Sequence, residues 1–208
     1  MAPECASGRL QNCYVGTSTL GRSALMQLVA SHCRENIADV KRVAVVGSGG
    51  AGKTSFANEL SRRTGLPVVH LDHLYWKPGW VETSKDEWRV VQDERLNADE
   101  WIVDGNYSGT FDIRFRRADT IIVLAPSRSR CISRVLRRTL VNHGRSVQAE
   151  GCPERIDWKF LKWVWRYPKN SRPLLEVAIR EHGGASRLIE LRTPREVAKF
   201  YESFGAGS

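Results

Sequence analysis

From Lys41 onward, short apolar runs alternate along the chain with stretches of helical period. Arg42-Val43-Ala44-Val45-Val46 is nearly continuous in apolar character, the pattern of a strand buried on both faces. A glycine-rich turn from Gly47 to Lys53 follows, then a helical stretch to Thr64 that Gly65 closes. Pro67-Val68-Val69-His70-Leu71 predicts a second strand, and Ser84-Lys85-Asp86-Glu87 is a capping box opening a helix through Trp88 and Val91 to about Leu96. Trp101-Ile102-Val103 predicts a third strand, running into Asp104-Gly105-Asn106. Thr120 to Leu124 and Leu188 to Leu191 predict the fourth and fifth. Ser127 caps a helix through Ile132, Val135 and Leu136. Thr193-Pro194-Arg195-Glu196 starts the last helix with a cap, Pro at N1 and Glu at N3. Alternation of this kind predicts an α/β fold in three layers, a five-stranded parallel sheet covered by helices on both faces.

Residues 1–40 break the pattern. They are rich in Ser, Gly and Ala, hold three of the five cysteines, and show one weak helical stretch around Leu20 to His32. The expectation is a flexible extension ahead of one domain spanning 41–208. A chain of 208 residues has room for one domain of ordinary size plus such a tail. Nothing in it reads as a run of 18 apolar residues or as a secretory signal. The cysteines (Cys5, Cys13, Cys33, Cys131, Cys152) are odd in number and widely spaced, which disfavours a disulfide framework or a structural zinc site. The expected setting is soluble and cytoplasmic, without a membrane partner.

Gly47-Ser48-Gly49-Gly50-Ala51-Gly52-Lys53-Thr54 matches G-x-x-x-x-G-K-[ST], the P-loop, with an apolar strand before it and a helix after it. Glycines let the backbone wrap a polyphosphate closely and turn successive N–H groups inward. The helix start adds its positive dipole end. Lys53 brings a full charge to the β and γ phosphates, and Thr54 offers a hydroxyl to Mg²⁺. The nucleotide-binding set is thus residues 47–55, Ser55 included, with ATP and Mg²⁺ as the expected ligands.

Other features narrow the class of P-loop protein. The chain lacks the Asn-Lys-x-Asp base reader of guanine-nucleotide switches and the Leu-Ser-Gly-Gly-Gln signature of transporters. The third strand ends in Asp104-Gly105, without a second carboxylate to activate water, while Asp99-Glu100 precedes that strand. Two aspartates end strands on the side where open α/β sheets bind ligands. Asp104 is placed to hold Mg²⁺, and Asp72 to meet an acceptor hydroxyl; the plain alternative for each is a turn or cap residue.

The net charge of +9 is concentrated in one part of the chain. Between Arg114 and Arg172 there are 15 Lys and Arg against 4 Asp and Glu, a net of +11. Arg134 and Arg138 are four apart and share a helix face, Arg137 lies beside them, and Arg145 follows Gly144. Phosphoryl transfer needs cations over the equatorial oxygens, and an Arg-rich lid at about 139–170 would bring them while excluding water. The alternatives are a solvated basic surface or a nucleic-acid contact through 114–172. Trp158, Leu161, Lys162 and Trp165 lie on one helical face, able either to stack on bases or to pack on a neighbouring helix. His70 and His73 flank Asp72 at a spacing open to a metal, though their directions divide between a strand face and the following loop.

The P-loop, Asp72 at a strand end, Asp104-Gly105 and the paired arginines resemble the nucleoside monophosphate kinases, adenylate kinase in particular. More closely, His70-Leu71-Asp72-His73-Leu74-Tyr75-Trp76, Pro78-Gly79-Trp80, Trp101 to Tyr107, Glu154-Arg155-Ile156-Asp157 and Trp163-Val164-Trp165 resemble the bacterial DNA topology modulation proteins, which are adenylate-kinase-like. The resemblance runs from about Arg42 to Phe204. It implies a kinase-type P-loop fold with a helical, basic lid, and transfer of the ATP γ-phosphoryl group to a small acceptor, nucleotide-like or hydroxyl-bearing. It implies equally the alternative of a nucleic-acid-associated ATP-binding protein. Lys53, Asp72, Arg134 and Arg138 are the expected catalytic set. Adenylate kinases follow Asp-Gly with Phe-Pro-Arg, whereas this chain has Asn106-Tyr107-Ser108, so AMP is not implied as acceptor. Arg114 or Arg117 is the candidate replacement for the missing arginine, with Arg145 as a further acceptor contact.

Deleting residues 1–40 is expected to leave ATP affinity unchanged and to shift Tm by less than about 2 °C, because the strand–helix pattern starts at Lys41. Calorimetry of the truncated and full chains checks this.

Overall fold

In the computed structural model, residues 40–202 are described. The expected extension therefore lies outside the described residues except for Val40. The elements begin with β1 (Arg42–Gly47), α1 (Lys53–Thr64), β2 (Val68–His70), α2 (Leu71–Tyr75), β3 (Trp76–Lys77), β4 (Val81–Glu82), α3 (Lys85–Arg95) and β5 (Trp101–Asp104). They continue with α4 (Phe111–Arg117), β6 (Thr120–Leu124), α5 (Arg128–Val141), α6 (Trp158–Asn170), α7 (Arg172–His182), β7 (Arg187–Leu191) and α8 (Pro194–Glu202).

Five strands form one sheet in the order β2-β5-β1-β6-β7, parallel throughout. The alternation of side chains along β1 divides the core between two faces. Val43 and Val45 face a cluster with Phe56, Leu60, Ile122, Val135, Val164 and Phe200, contributed by α1, β6, α5, α6 and α8. Ala44 and Val46 face another with Leu71, Trp88, Trp101, Phe115, Ile121 and Leu175, contributed by α2, α3, α4, α7 and the neighbouring strands. A helix layer thus covers each face, the three-layer arrangement that the continuous apolar runs require.

Caps set the helix starts. Ser84 Oγ accepts from Glu87 N, Ser127 Oγ from Arg130 N, and Thr193 Oγ1 from Glu196 N, each at 3.2–3.4 Å. Glu196 reaches back to the Arg192 and Thr193 amides, completing a capping box.

Three features differ from the sequence expectation. The second strand stops at His70, because Leu71 turns in at once to the core and opens α2, so Asp72 lies on a short helix rather than on a strand end. Residues 76–82 form a hairpin, β3 paired antiparallel with β4 through Gly79. Within the region expected as a lid, α6 is part of the core, with Val164 1% exposed and Tyr167 6%. Residues 142–157, the irregular connection from α5 to α6, keep the name lid loop from that expectation.

Arg114 is the largest departure from composition-based expectation. It is 1% exposed, lies 4.9 Å over the Phe111 ring, and donates to the carbonyl oxygens of Gly105 at 3.1 Å and Tyr107 at 2.9 Å. Burial lowers its pKa to about 9. The chain accepts that cost because the loop after β5 otherwise keeps two carbonyls without donors. Arg114→Met is expected to lower the unfolding free energy by about 2–4 kcal/mol through those two buried acceptors, whereas exposed Arg116→Met changes it little. Urea titrations of both variants give the comparison.

Candidate active site

The loop after β1 closes around bare backbone. Gly50 has φ +73°, and a Cβ there would run into the Cys131 carbonyl on α5. At Gly49 a Cβ would come within 2.9 Å of Val164 Cγ2 and nearer still to Phe160 Cζ, both on α6. Any larger residue would push these helices off the loop.

Lys53 Nζ donates to the Gly47 and Ser48 carbonyl oxygens at 3.1 and 3.0 Å, so the loop holds its ammonium group in place. Burial pulls the Lys53 pKa below the ordinary lysine value. The charges of Asp72 and Asp104 oppose that shift, and Arg138 adds to it. These four side chains, far apart in sequence, therefore share one electrostatic environment. Gly49 to Ser55 line a cavity of about 1300 Å³, whereas Gly47 and Ser48 lie behind it and hold the lysine.

Asp104, 4% exposed at the end of β5, uses both oxygens. Oδ2 accepts from Thr54 Oγ1 at 2.9 Å, and Oδ1 lies 2.5 Å from His70 Nδ1. The hydrogen bond to Asp104 raises the His70 pKa against the opposing effect of burial. Asp72, from α2, faces the same cavity and accepts from the Tyr107 hydroxyl at 2.6 Å. Burial, then the Asp72 charge, pushes the Tyr107 pKa far above the ordinary phenol, which keeps it a donor at neutral pH.

Arg134 and Arg138 reach the cavity from α5. Arg134 Nη1 donates to the Ala51 carbonyl of the loop at 3.0 Å. Arg138 Nε pairs with Glu154 Oε1 at 3.2 Å. Glu154, 3% exposed, also accepts from Gln148 Nε2 at 2.9 Å and Thr139 Oγ1 at 3.4 Å. This buried carboxylate on the lid loop thus sets its charge beside the arginine.

Three expected acceptor contacts lie away from the cavity. Arg114 is committed to loop carbonyls, as described above. Arg117 pairs with Asp93 at 2.7 Å, and Arg145 is exposed on the lid loop; none of the three lines the cavity. His70, Tyr107 and Glu154 enter the site instead. All lie in motifs quoted from the sequence, but no spacing rule pairs His70 with Asp104, 34 positions on, or Tyr107 with Asp72, 35 positions back. Of the stripe Trp158, Leu161, Lys162 and Trp165 on α6, Leu161 packs against the core and the other three are exposed, while the opposite face with Phe160, Trp163, Val164 and Tyr167 turns inward. Among the described residues no group of His, Cys, Asp and Glu forms a metal cluster, Cys131 and Cys152 are free and buried, and no helix is long and apolar enough to cross a membrane.

No protein-family model matches the sequence, and neither does any curated protein. Among solved structures, a shikimate kinase from Acinetobacter baumannii in complex with shikimate matches with TM-score 0.52 at 16% identity, over 79% of this chain and 92% of that one. A gluconokinase from Sinorhizobium meliloti 1021 matches with TM-score 0.47 at 19% identity, over 80% and 90%. The first match shows a shared fold, an α/β arrangement with helices on both faces of a parallel sheet.

Lys53→Met is expected to fold with Tm within about 2 °C of the parent chain, because relief of a desolvated ammonium group offsets the loss of its two bonds to the Gly47 and Ser48 carbonyls. Its affinity for ATP–Mg should fall about tenfold to a hundredfold, the loss of a charge-assisted contact. Thermal melts and titration calorimetry measure the two effects.

Proposed function

We propose that this chain is a kinase that transfers the γ-phosphoryl group of ATP to a hydroxyl of a small-molecule acceptor. The observation that carries the reading is the meeting of Lys53, Asp72, Asp104 and two α5 arginines around one cavity opening from the phosphate loop. A fold shared with a small-molecule kinase supports it.

Thr54 and Asp104 fit a magnesium ion. Both present oxygen, the donor this cation prefers, and their oxygens lie 2.9 Å apart beside the loop. Bound there with the nucleotide, the ion would neutralise charge on the phosphate oxygens. The remaining roles fall to the protein. Loop amides and Lys53 hold the β and γ phosphates. Asp72, pinned by Tyr107, takes the proton of the acceptor hydroxyl as its oxygen bonds to the γ phosphorus and the bond to the β–γ bridging oxygen breaks, releasing ADP. Arg134 and Arg138 stabilise charge on the moving group. The cytoplasmic ATP pool is the expected donor source.

A second reading, contact with nucleic acid of the kind the DNA topology modulation resemblance implies, has one observation in its favour. Trp158 and Trp165 are exposed on α6 among exposed Lys159, Lys162, Arg166 and Lys169, and Arg128 sits 4.7 Å over the Trp165 ring. A steep negative salt dependence of micromolar DNA binding would support it; weak, flat binding would exclude it.

The kinase reading is tested by ADP release from ATP–Mg across a panel of nucleosides, nucleotides, sugars and small acids, with product mass as confirmation. With an acceptor in hand, Arg134→Ala or Arg138→Ala should reduce kcat by roughly 10²–10³ and change ATP affinity much less. Glu154→Gln should lower kcat by a smaller factor at unchanged KM for ATP. Full kcat in both arginine variants would remove them from the catalytic set.

A further inference from the structure

Sheet order divides the cavity. β1 and its loop are central, with β5 and β2 to one side and β6 and β7 to the other. The wall on the β6–β7 side includes Pro126, Arg130, Arg192, Pro194 and Val197, a cationic and apolar surface suited to a nucleotide. The opposite wall includes Asp72, Trp76, Trp80, Glu82, Asp104 and Tyr107. Asp104 faces the loop beside Thr54, but Asp72 and Glu82 beyond it would repel a triphosphate, so this half is left to the acceptor.

On the acceptor side the basic residues are turned away. Between residues 66 and 119 not one Lys or Arg lines the cavity. Lys77 is bonded to Glu87, Arg89 to Asp112, Arg117 to Asp93, and Arg114 to backbone carbonyls beneath the loop. Two of the carboxylates are held by tyrosines, Asp72 by Tyr107 and Glu82 by Tyr75 at 3.0 Å. Neutral donors leave the negative charge in place.

Two indoles complete this wall. The Trp76 and Trp80 rings meet edge to face at 5.4 Å, and Tyr75 meets Trp76 edge to face at 5.0 Å. Trp80 has φ +63°, among the described residues the one non-glycine with positive φ. A bulky residue adopts that conformation rarely and at a cost. Its Nε1–H donates to the Pro153 carbonyl of the lid loop at 3.0 Å, and Gly79 N donates to the Gly151 carbonyl at 2.8 Å, so the strained indole is locked where it stands.

Building on the kinase reading, we infer that the acceptor is a ring alcohol that carries no anionic group, neutral or cationic, with a flat face laid against Trp76 and Trp80. An acceptor bearing a carboxylate or phosphate would set its charge beside Asp72 and Glu82 with no Lys or Arg on that wall, and His70 there is already committed to Asp104. The lid loop contributes Arg155 to the cavity, two residues beyond Pro153, and this side chain is the internal control.

The test uses the full chain with ATP–Mg and acceptor pairs that differ in one charged group: a nucleoside and its 5′-monophosphate, a pyranose and its uronic acid, an aromatic amino alcohol and the matching hydroxy acid. In at least one pair, the non-anionic member should be phosphorylated with kcat/KM at least about tenfold higher. Trp76→Ala and Trp80→Phe should raise its KM about tenfold while kcat changes less. Arg155→Ala should keep the preference. Preference for the anionic member, or a preference that reverses in Arg155→Ala, overturns the acceptor assignment and leaves the kinase reading standing. ATP–Mg binding without phosphorylation of either member of any pair overturns the kinase reading, and the acceptor class with it.

Discussion

Helices α5 and α6 rest directly on the backbone of the phosphate loop, and the rest of the site depends on that contact. It exists because Gly49 and Gly50 carry no side chain where Val164, Phe160 and the Cys131 carbonyl come closest. A helix seated this near places its own residues over the loop without a long reach. Arg134 can then donate to the Ala51 carbonyl, and Arg138 comes close enough to Lys53 to lower its pKa. Close-packed interiors transmit such placement with little slack. A larger residue in the loop would loosen the loop and the arginines together.

Buried polar groups hold the parts in register. Asp104 joins α1 through Thr54 and the end of β2 through His70, linking three elements with one carboxylate. Arg114 ties the loop after β5 from below, and Tyr107 in that loop steadies Asp72. Glu154 sets its charge beside Arg138 from the lid side. Each of these groups is costly to desolvate alone and acceptable only with its partners, so the network behaves as a unit.

Charge is partitioned in space as it is in sequence. The basic segment 114–172 supplies α5 and the lid loop, and so places Arg130, Arg134, Arg138 and Arg155 in the wall of the cavity. The half built from β2, β5 and the 76–82 hairpin is acidic and aromatic. A site with opposite characters on its two sides orients two different ligands without further machinery.

The parallel sheet, its five strands and the glycine-rich turn after the first were legible in the sequence, because strand burial and turn formation depend on local pattern. Val43 to Val46 must be covered on both faces wherever they sit, and Gly47 to Thr54 can form a phosphate loop from their own conformational freedom. The role of Arg114 was not legible. A basic residue among others reads as surface, and only the fold shows two carbonyls waiting beneath the loop at 3.1 and 2.9 Å. The burial of α6 was not legible for a similar reason: the helix is rich in Lys and Arg, yet Phe160 and Val164 turn inward over the bare backbone at Gly49. Sequence alone determined the five buried strands and the glycine-rich loop, since those follow from residues near one another in the chain. The partners of His70, Asp72 and Arg138 were decided by tertiary structure, because they lie 16 to 35 positions away and only the sheet order and helix packing bring them within reach.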